Sequence, residues 1–66
     1  MKKTGEILKS AREQKGVTIN EVALVTKINA KTIELIERGA IDLLPQKAFL
    51  RGFVQTYARY LGLNQK

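Results

Sequence analysis

The chain of 66 residues contains no cysteine, no histidine and no tryptophan. It therefore cannot form disulfides or the common zinc sites, and it has no imidazole for acid–base catalysis. No apolar run approaches the roughly 20 residues of a membrane span, and the amino terminus lacks the apolar segment of a signal peptide. We expect one small domain over residues 1–66, soluble and cytoplasmic, without a cofactor or a metal.

Acidic residues are scarce as well, with 6 Asp and Glu against 12 Lys and Arg and a net charge of +6. This excess suggests a polyanion or a membrane surface as a partner. The basic residues are concentrated at the two ends, since residues 17–39 hold three basic and three acidic side chains. The few carboxylates have no nucleophile or metal-ligand set beside them, so we do not expect an enzyme.

The first helix is expected over about residues 5–15. Thr4 precedes it as a candidate N-cap, and Gly16 follows it as a left-handed stop. The apolar residues expected on its buried face are Ile7, Leu8 and Ala11.

Two shorter helices follow, joined by a turn of three or four residues. Thr18 and Glu21 have the spacing of a capping box, which opens the second helix. Asn29 is a good N-cap for the third helix, and Gly39 is placed to terminate it. Such a pair indicates a helix-turn-helix over about residues 18–38. The residues expected to point inward are Ile19, Val22, Ala23, Ile33 and Ile36.

All four aromatic residues lie between positions 49 and 60, in a stretch with the period of a helix. We predict this helix over about residues 46–61, directly after Pro45. At about 100° per residue its apolar side chains cover roughly 140°, whereas packing on one core requires about 100°. Either the rest of the domain wraps unusually far around this helix, or the edge that carries Phe49, Phe53 and Tyr60 is offered to a partner.

The connector before the aromatic helix is short and apolar, so we expect Ile41, Leu43 and Leu44 to be buried. Tyr57 and Leu61, nearer the middle of the apolar arc, are expected in the core. No stretch shows the alternation of a half-buried strand. The sequence therefore predicts an all-α fold, a compact bundle of four to five helices that contains a helix-turn-helix.

The helix-turn-helix resembles that of the phage-repressor (Cro/C1, XRE-like) superfamily. The resemblance rests on VTINEVA at residues 17–23, INAKTI at 28–33 and IERG at 36–39. In DNA-reading members the third helix lies in the major groove, with its amino-terminal side chains on base edges. The residues that the resemblance implies as base contacts are Asn29, Ala30, Lys31, Thr32 and Glu34.

Several positions depart from the DNA-reading pattern. Ile19 stands where a phosphate-binding Gln is common, and Lys27 stands at the turn glycine, where a left-handed backbone costs about 1 kcal/mol. Glu34 and Glu37 place carboxylates near a polyanion and leave the third helix without net charge. These departures favour a scaffold over a DNA reader.

A second resemblance covers nearly the whole chain, and the motifs that carry it are GEIL at residues 5–8, AR at 11–12, TKI at 26–28, ERG at 37–39, LP at 44–45, RGF at 51–53 and YARYLGL at 57–63. Together they resemble the cytoplasmic amino-terminal domain of the RodZ family of bacterial cell-shape proteins. The family resemblance implies that the domain binds the actin-like filament protein MreB through an aromatic pair, here Phe49 and Phe53. Full-length members continue into a transmembrane helix and a periplasmic domain, which would place an anchored form at the inner face of the membrane.

The first hypothesis is therefore a non-catalytic adaptor that docks on MreB and couples the filament to the cell envelope. The residues assigned to its partner-binding site are Phe49, Phe53, Tyr60, Lys47 and Arg51. The alternative is a sequence-specific DNA-binding regulator of the Cro/C1 type, acting as a dimer. The residues assigned to DNA in that case are Asn29, Lys31 and Thr32. Two further possibilities stay open, homodimerisation through the edge that carries Phe49, Phe53 and Tyr60 and a combination of both activities.

Overall fold

The chain folds into a bundle of helices. The computed structural model describes residues 2–44 and 49–63, and in these ranges four α-helices and no strand occur. The elements are α1 (Lys2–Lys15), α2 (Ile19–Thr26), α3 (Ala30–Arg38), a 3₁₀ turn at Ile41–Leu43 and α4 (Leu50–Tyr60). The Cα radius of gyration is 10.6 Å, close to the value of about 11 Å that a folded chain of this length should have. The predicted all-α class is confirmed, and α2 and α3 form the helix-turn-helix.

The start of α1 differs from the prediction. The helix begins at Lys2, so Thr4 lies inside its first turn, and the expected N-cap at Thr4 is wrong. The two lysines before Thr4 are good helix formers, and no residue there stops the helix. At the other end Gly16 adopts φ 78°, which confirms the left-handed stop.

The caps of the helix-turn-helix are those that the sequence predicts. The Thr18 hydroxyl accepts from the Glu21 amide at 3.1 Å, and the Thr18 amide donates to the Glu21 carboxylate at 2.7 Å. Asn29 caps α3, because its side-chain oxygen accepts from the Lys31 amide at 2.8 Å. Gly39 ends α3 with φ 74°. These bonds pair amides that have no partner inside their helices.

The turn between α2 and α3 is built on Lys27. Within the described ranges, Lys27 is the one residue other than glycine that has a positive φ. Its φ of 65° is left-handed, as expected for the position where the repressor superfamily has glycine. Its amide donates to the Ala23 carbonyl at 2.9 Å, which closes the end of α2. The side chain at position 27 is therefore held on a strained but well-fixed backbone.

Replacing this residue should stabilise the fold. We expect Lys27→Gly to raise the free energy of unfolding by about 0.5 to 1 kcal/mol, because glycine relieves the left-handed strain but loses more backbone entropy on folding. Urea unfolding followed by circular dichroism measures the change. The matched control is Lys31→Gly on α3, which should lower the free energy of unfolding by about 1 kcal/mol. A destabilising Lys27→Gly would contradict the left-handed turn.

The core is centred on α3. Ile33 and Ile36 on this helix are completely buried, as the periodicity predicts. Around them lie the other fully buried large side chains, which are Leu8 of α1, Val22 of α2 and Tyr57 of α4. Each of the other three helices thus contributes at least one fully buried side chain to this core.

Ile7 was expected in the core but is 52% exposed. Helix α1 faces the core with Gly5, Leu8 and Arg12, which lie on one side of a helix because they are three and four residues apart. Arg12 is drawn inward by an ion pair with Glu37. This pairing rotates α1 so that Ile7 turns towards solvent.

The connector also departs in part from the prediction. Leu44 is buried and Ile41 is half-buried, but Leu43 is 64% exposed. A 3₁₀ turn has three residues per turn, so positions 41 and 44 share a side and position 43 does not. The predicted start of the aromatic helix at residues 46–48 lies outside the described residues.

Candidate partner-binding surface

Phe49 and Phe53 form one aromatic patch at the start of α4. Phe49 precedes the helix and is 59% exposed, and Phe53 is half-buried one turn later. The ring centroids are 6.2 Å apart and the planes meet at 54°, a geometry within the range that aromatic pairs prefer. We call this pair the aromatic edge. It leaves an apolar surface in contact with solvent.

Tyr60 does not join the aromatic edge. It lies seven residues after Phe53, about 10 Å further along the helix axis. Its ring is half-buried and is covered by the Lys15 ammonium, 5.7 Å from the ring centroid. This cation–π contact ties the end of α4 to the end of α1.

The two basic residues assigned to the site are not both placed beside the rings. Arg51 is exposed but precedes Phe53 by two residues, which puts it about 160° away around the helix. It lines a small apolar depression with Leu50 and Val54 on that other side. Lys47 lies outside the described residues. Sequence reasoning assigned Arg51 to the partner-binding site without taking this angle into account.

A groove separates the aromatic edge from the turn of the helix-turn-helix. Residues 26–28 form one wall, and the other is formed by Phe49, Gly52, Phe53 and Thr56 of the α4 region. The groove has a volume of about 440 Å³ and is open to solvent. It brings Lys27 next to the rings, which the sequence alone did not indicate because the two walls are distant along the chain.

Behind this surface, α4 is fixed by a buried network of charged and polar groups. The Arg12 guanidinium donates two hydrogen bonds to the Glu37 carboxylate, Nε to Oε2 at 2.7 Å and Nη2 to Oε1 at 3.2 Å. The Tyr57 hydroxyl donates to the same carboxylate. Arg12 Nη1 also donates to the Val17 carbonyl at 3.0 Å. One network therefore joins α1, α3, α4 and the α1–α2 turn.

The network favours the charged form of Arg12 and the neutral form of Tyr57. The hydrogen bond to Glu37 raises the pKa of Arg12, although burial opposes this. Burial and then the hydrogen bond to Glu37 raise the pKa of Tyr57 well above the usual range of a phenol. Tyr57 therefore remains a protonated donor at neutral pH, and its aromatic ring stays fully buried one turn beyond Phe53.

The position of Glu37 corrects one expectation. We expected its carboxylate near the possible DNA-reading face, but the residue is only 7% exposed and is turned into the core. The signal was present in the sequence, because Glu37 continues the buried stripe of Ile33 and Ile36 at three- and four-residue spacing. The sequence did not, however, predict that Arg12 and Tyr57 are the hydrogen-bond partners of Glu37.

The residues assigned to DNA lie at the start of α3. Asn29 uses its side-chain oxygen as the helix cap, Lys31 is exposed and Thr32 is half-buried. Lys31 pairs with Glu34 at 3.7 Å, and Arg38 approaches the same carboxylate at 4.0 Å. With Glu37 buried against Arg12, the charges left outside the core on α3 are two basic and one acidic.

Comparison with known proteins identifies the class of this domain. Residues 7–66 match the family described as helix-turn-helix domain, and the chain belongs to that family. It is 36% identical over 58 residues to the cytoskeleton protein RodZ of Streptococcus pneumoniae, which is 86% of this chain and 21% of that protein. The predicted resemblance to the RodZ family is confirmed.

A second relative is an uncharacterized membrane protein of Bacillus subtilis, YmfM. The identity is 29% over 48 residues, which cover 73% of this chain and 17% of that protein. The chain thus spans about a fifth of the length of these relatives. No solved structure matches it significantly. Within residues 2–44 and 49–63, no helix has both the length and the apolar character that crossing a bilayer requires.

Proposed function

We propose that the domain is a non-catalytic adaptor that binds an MreB-like actin filament protein through the aromatic edge. The observation that carries the proposal is the exposed Phe49 ring beside the tilted ring of Phe53, on a chain similar to a cytoskeleton protein. Apolar rings in contact with water are stabilised when a partner covers them, and aromatic side chains commonly dominate the energetics of interfaces.

The fold supports this role by fixing helix α4, which carries Phe53, before binding. Tyr57 is anchored to Glu37 and lies on the helix one turn after Phe53. A helix held in this way loses little conformational freedom when a partner docks, which leaves more of the contact energy for affinity. Binding of this kind requires no chemistry at the site. Coupling of the filament to the cell envelope would require that the domain be part of a longer, membrane-anchored protein.

The first test is binding to the polymerised filament protein. We expect Phe53→Ala to weaken binding about 30-fold, because truncation of an aromatic anchor costs about 2 kcal/mol. Co-sedimentation with polymerised MreB over a range of domain concentrations gives the dissociation constant. Phe49→Ala should also weaken binding, and because Phe49 is largely exposed this variant should keep its fold.

The matched control is Leu24→Ala, which removes an apolar side chain that is 78% exposed on α2. Leu24 lies about 160° around α2 from Thr26, the α2 residue that lines the groove. This variant should bind like the parent domain. If folded Phe49→Ala and Phe53→Ala variants both pellet with the filament as the parent does, the assignment of the aromatic edge is wrong.

DNA binding is the rival function, and one observation favours it. The burial of Glu37 removes a carboxylate from the exposed side of α3, where Lys31 and Arg38 outnumber Glu34. Fluorescence anisotropy with random duplex DNA at low and physiological salt separates the two functions. Weak binding that salt abolishes would reflect net charge alone. Tight binding at physiological salt, lost in Lys31→Ala, with no filament pelleting, would replace the adaptor by a DNA reader.

A further inference from the structure

The groove beside the aromatic edge is kept open by a glycine that the backbone does not need. Gly52 lies within α4, and its φ is not in the left-handed region. Glycine in a helix interior costs about 1 kcal/mol relative to alanine. A Cβ built at this position meets no atom of the described residues within 4 Å. Packing against the described residues therefore does not require glycine here either, and what it preserves is the space of the groove.

On the opposite wall, a residue with a side chain occupies a position where the backbone favours glycine. Lys27 occupies a left-handed position where glycine would be unstrained. Positions 27 and 52 both go against the preference of their local backbone, and both line the same groove. Departures from local preference that share one place on the surface are typical of binding sites, where strain is retained for function.

The chemistry of the walls defines what the groove can receive. The Phe49 and Phe53 rings offer an apolar side. The exposed Lys27 provides a positive charge on the facing wall, and it has no ion pair within the described part of the chain. None of the described residues that line the groove is acidic. The Thr26 hydroxyl is already used, since it donates to the Val22 carbonyl and accepts from the Ile28 amide.

We propose that this groove takes up an apolar side chain of the filament protein that stands next to an Asp or Glu, with the carboxylate paired to Lys27. The inference rests on the proposed function and adds the turn of the helix-turn-helix to the docking surface. The rings cover the apolar side chain, the missing side chain of Gly52 makes room for it, and Lys27 fixes the register of the partner through its carboxylate.

Two substitutions separate binding from stability. Gly52→Leu fills the groove and improves the helix, and Lys27→Gly removes the charge and relaxes the turn. Both variants should be at least as stable as the parent domain, yet each should bind the polymerised filament protein about tenfold more weakly, the change that corresponds to 1.4 kcal/mol. Lys27→Gly should also reduce the salt dependence of the dissociation constant, because a charge pair is lost.

Each substitution has a matched control on another surface. Gln14→Leu adds the same side chain to an exposed position of α1, and Lys3→Gln removes a charge from the exposed side of that helix; both residues line a different depression from the groove. Both controls should bind like the parent domain. If Gly52→Leu and Lys27→Gly also bind like the parent while Phe53→Ala does not, the groove is no part of the interface and the proposed function stands. If the parent domain does not pellet with the filament, both are overturned.

Discussion

Glu37→Gln should lower the free energy of unfolding by about 3 kcal/mol, since it leaves the charge of Arg12 without a counter-ion in a largely dry site. The Arg12 side chain is only 12% exposed and the Glu37 side chain 4%. An amide oxygen in the place of Oε2 can still accept from Arg12 Nε and from the Tyr57 hydroxyl, but the NH2 group in the place of Oε1 would face the Arg12 Nη2 donor. The substitution conserves shape, so the loss reports the charge and its hydrogen bonds and not a cavity.

A loss of this size is large for so small a domain. Typical stabilities of roughly 0.05 to 0.15 kcal/mol per residue give about 3 to 10 kcal/mol for 66 residues. Urea unfolding at neutral pH, followed by circular dichroism, should therefore show a strongly lowered midpoint or a domain already partly unfolded without urea.

The control is on the same helix. Glu34→Gln removes the same charge from a side chain that is 45% exposed and whose ion-pair distances are 3.7 and 4.0 Å. Exposed pairs of this kind contribute between about 0 and 1 kcal/mol, so the midpoint should move little. Equal effects of the two substitutions would mean that the Arg12–Glu37 pair is solvated in solution.

The network also links stability to the binding surface. Tyr57 hydrogen bonds to Glu37 across 20 residues of sequence, and Arg12 reaches it across 25. Loss of the carboxylate should therefore loosen α4 against α3. A Glu37→Gln domain that stays folded at low temperature should bind the filament protein more weakly than the parent, although Phe49 and Phe53 are unchanged.

The features predicted correctly from the sequence are those that depend on near neighbours along the chain. The capping box at Thr18, the cap at Asn29 and the left-handed stop at Gly16 each follow from contacts within a few residues. Helical periodicity likewise placed Ile33 and Ile36 in the core. The pairing of Arg12 with Glu37 depends on how two helices meet, and no local signal encodes it.

The same distinction holds for the candidate site. Periodicity indicated that Phe49 and Phe53 lie at one edge of the apolar arc, and the structure places their rings side by side. The groove was not predicted, because Lys27 reaches it only through the packing of α2 against α4. Arg51 was assigned to the site because it is close to Phe49 and Phe53 in sequence. Residues two positions apart on a helix lie on nearly opposite sides, so this nearness does not place Arg51 beside the rings.

Helix α1 approaches α3 through a glycine, and Gly5→Ala should lower the free energy of unfolding by about 3 kcal/mol. A Cβ at Gly5 would lie 2.3 Å from the Ile36 carbonyl oxygen and 2.6 Å from that of Glu37. Both contacts are with backbone, so no side chain can rotate away, and the helices must separate. Separation would also withdraw Arg12, two turns further along the same side of α1, from Glu37.

Gly52→Ala is the control for Gly5→Ala. It separates the helix preference of alanine from the steric contact at position 5, because the two glycines differ in their surroundings. Both lie within helices, where alanine is favoured over glycine by about 1 kcal/mol. At Gly52 no atom of residues 2–44 or 49–63 lies within 4 Å of the added Cβ, so Gly52→Ala should raise the free energy of unfolding by about that amount. Urea unfolding of the two variants should therefore give changes of opposite sign. An increase for both would show that α1 does not rest on the backbone of α3 in solution.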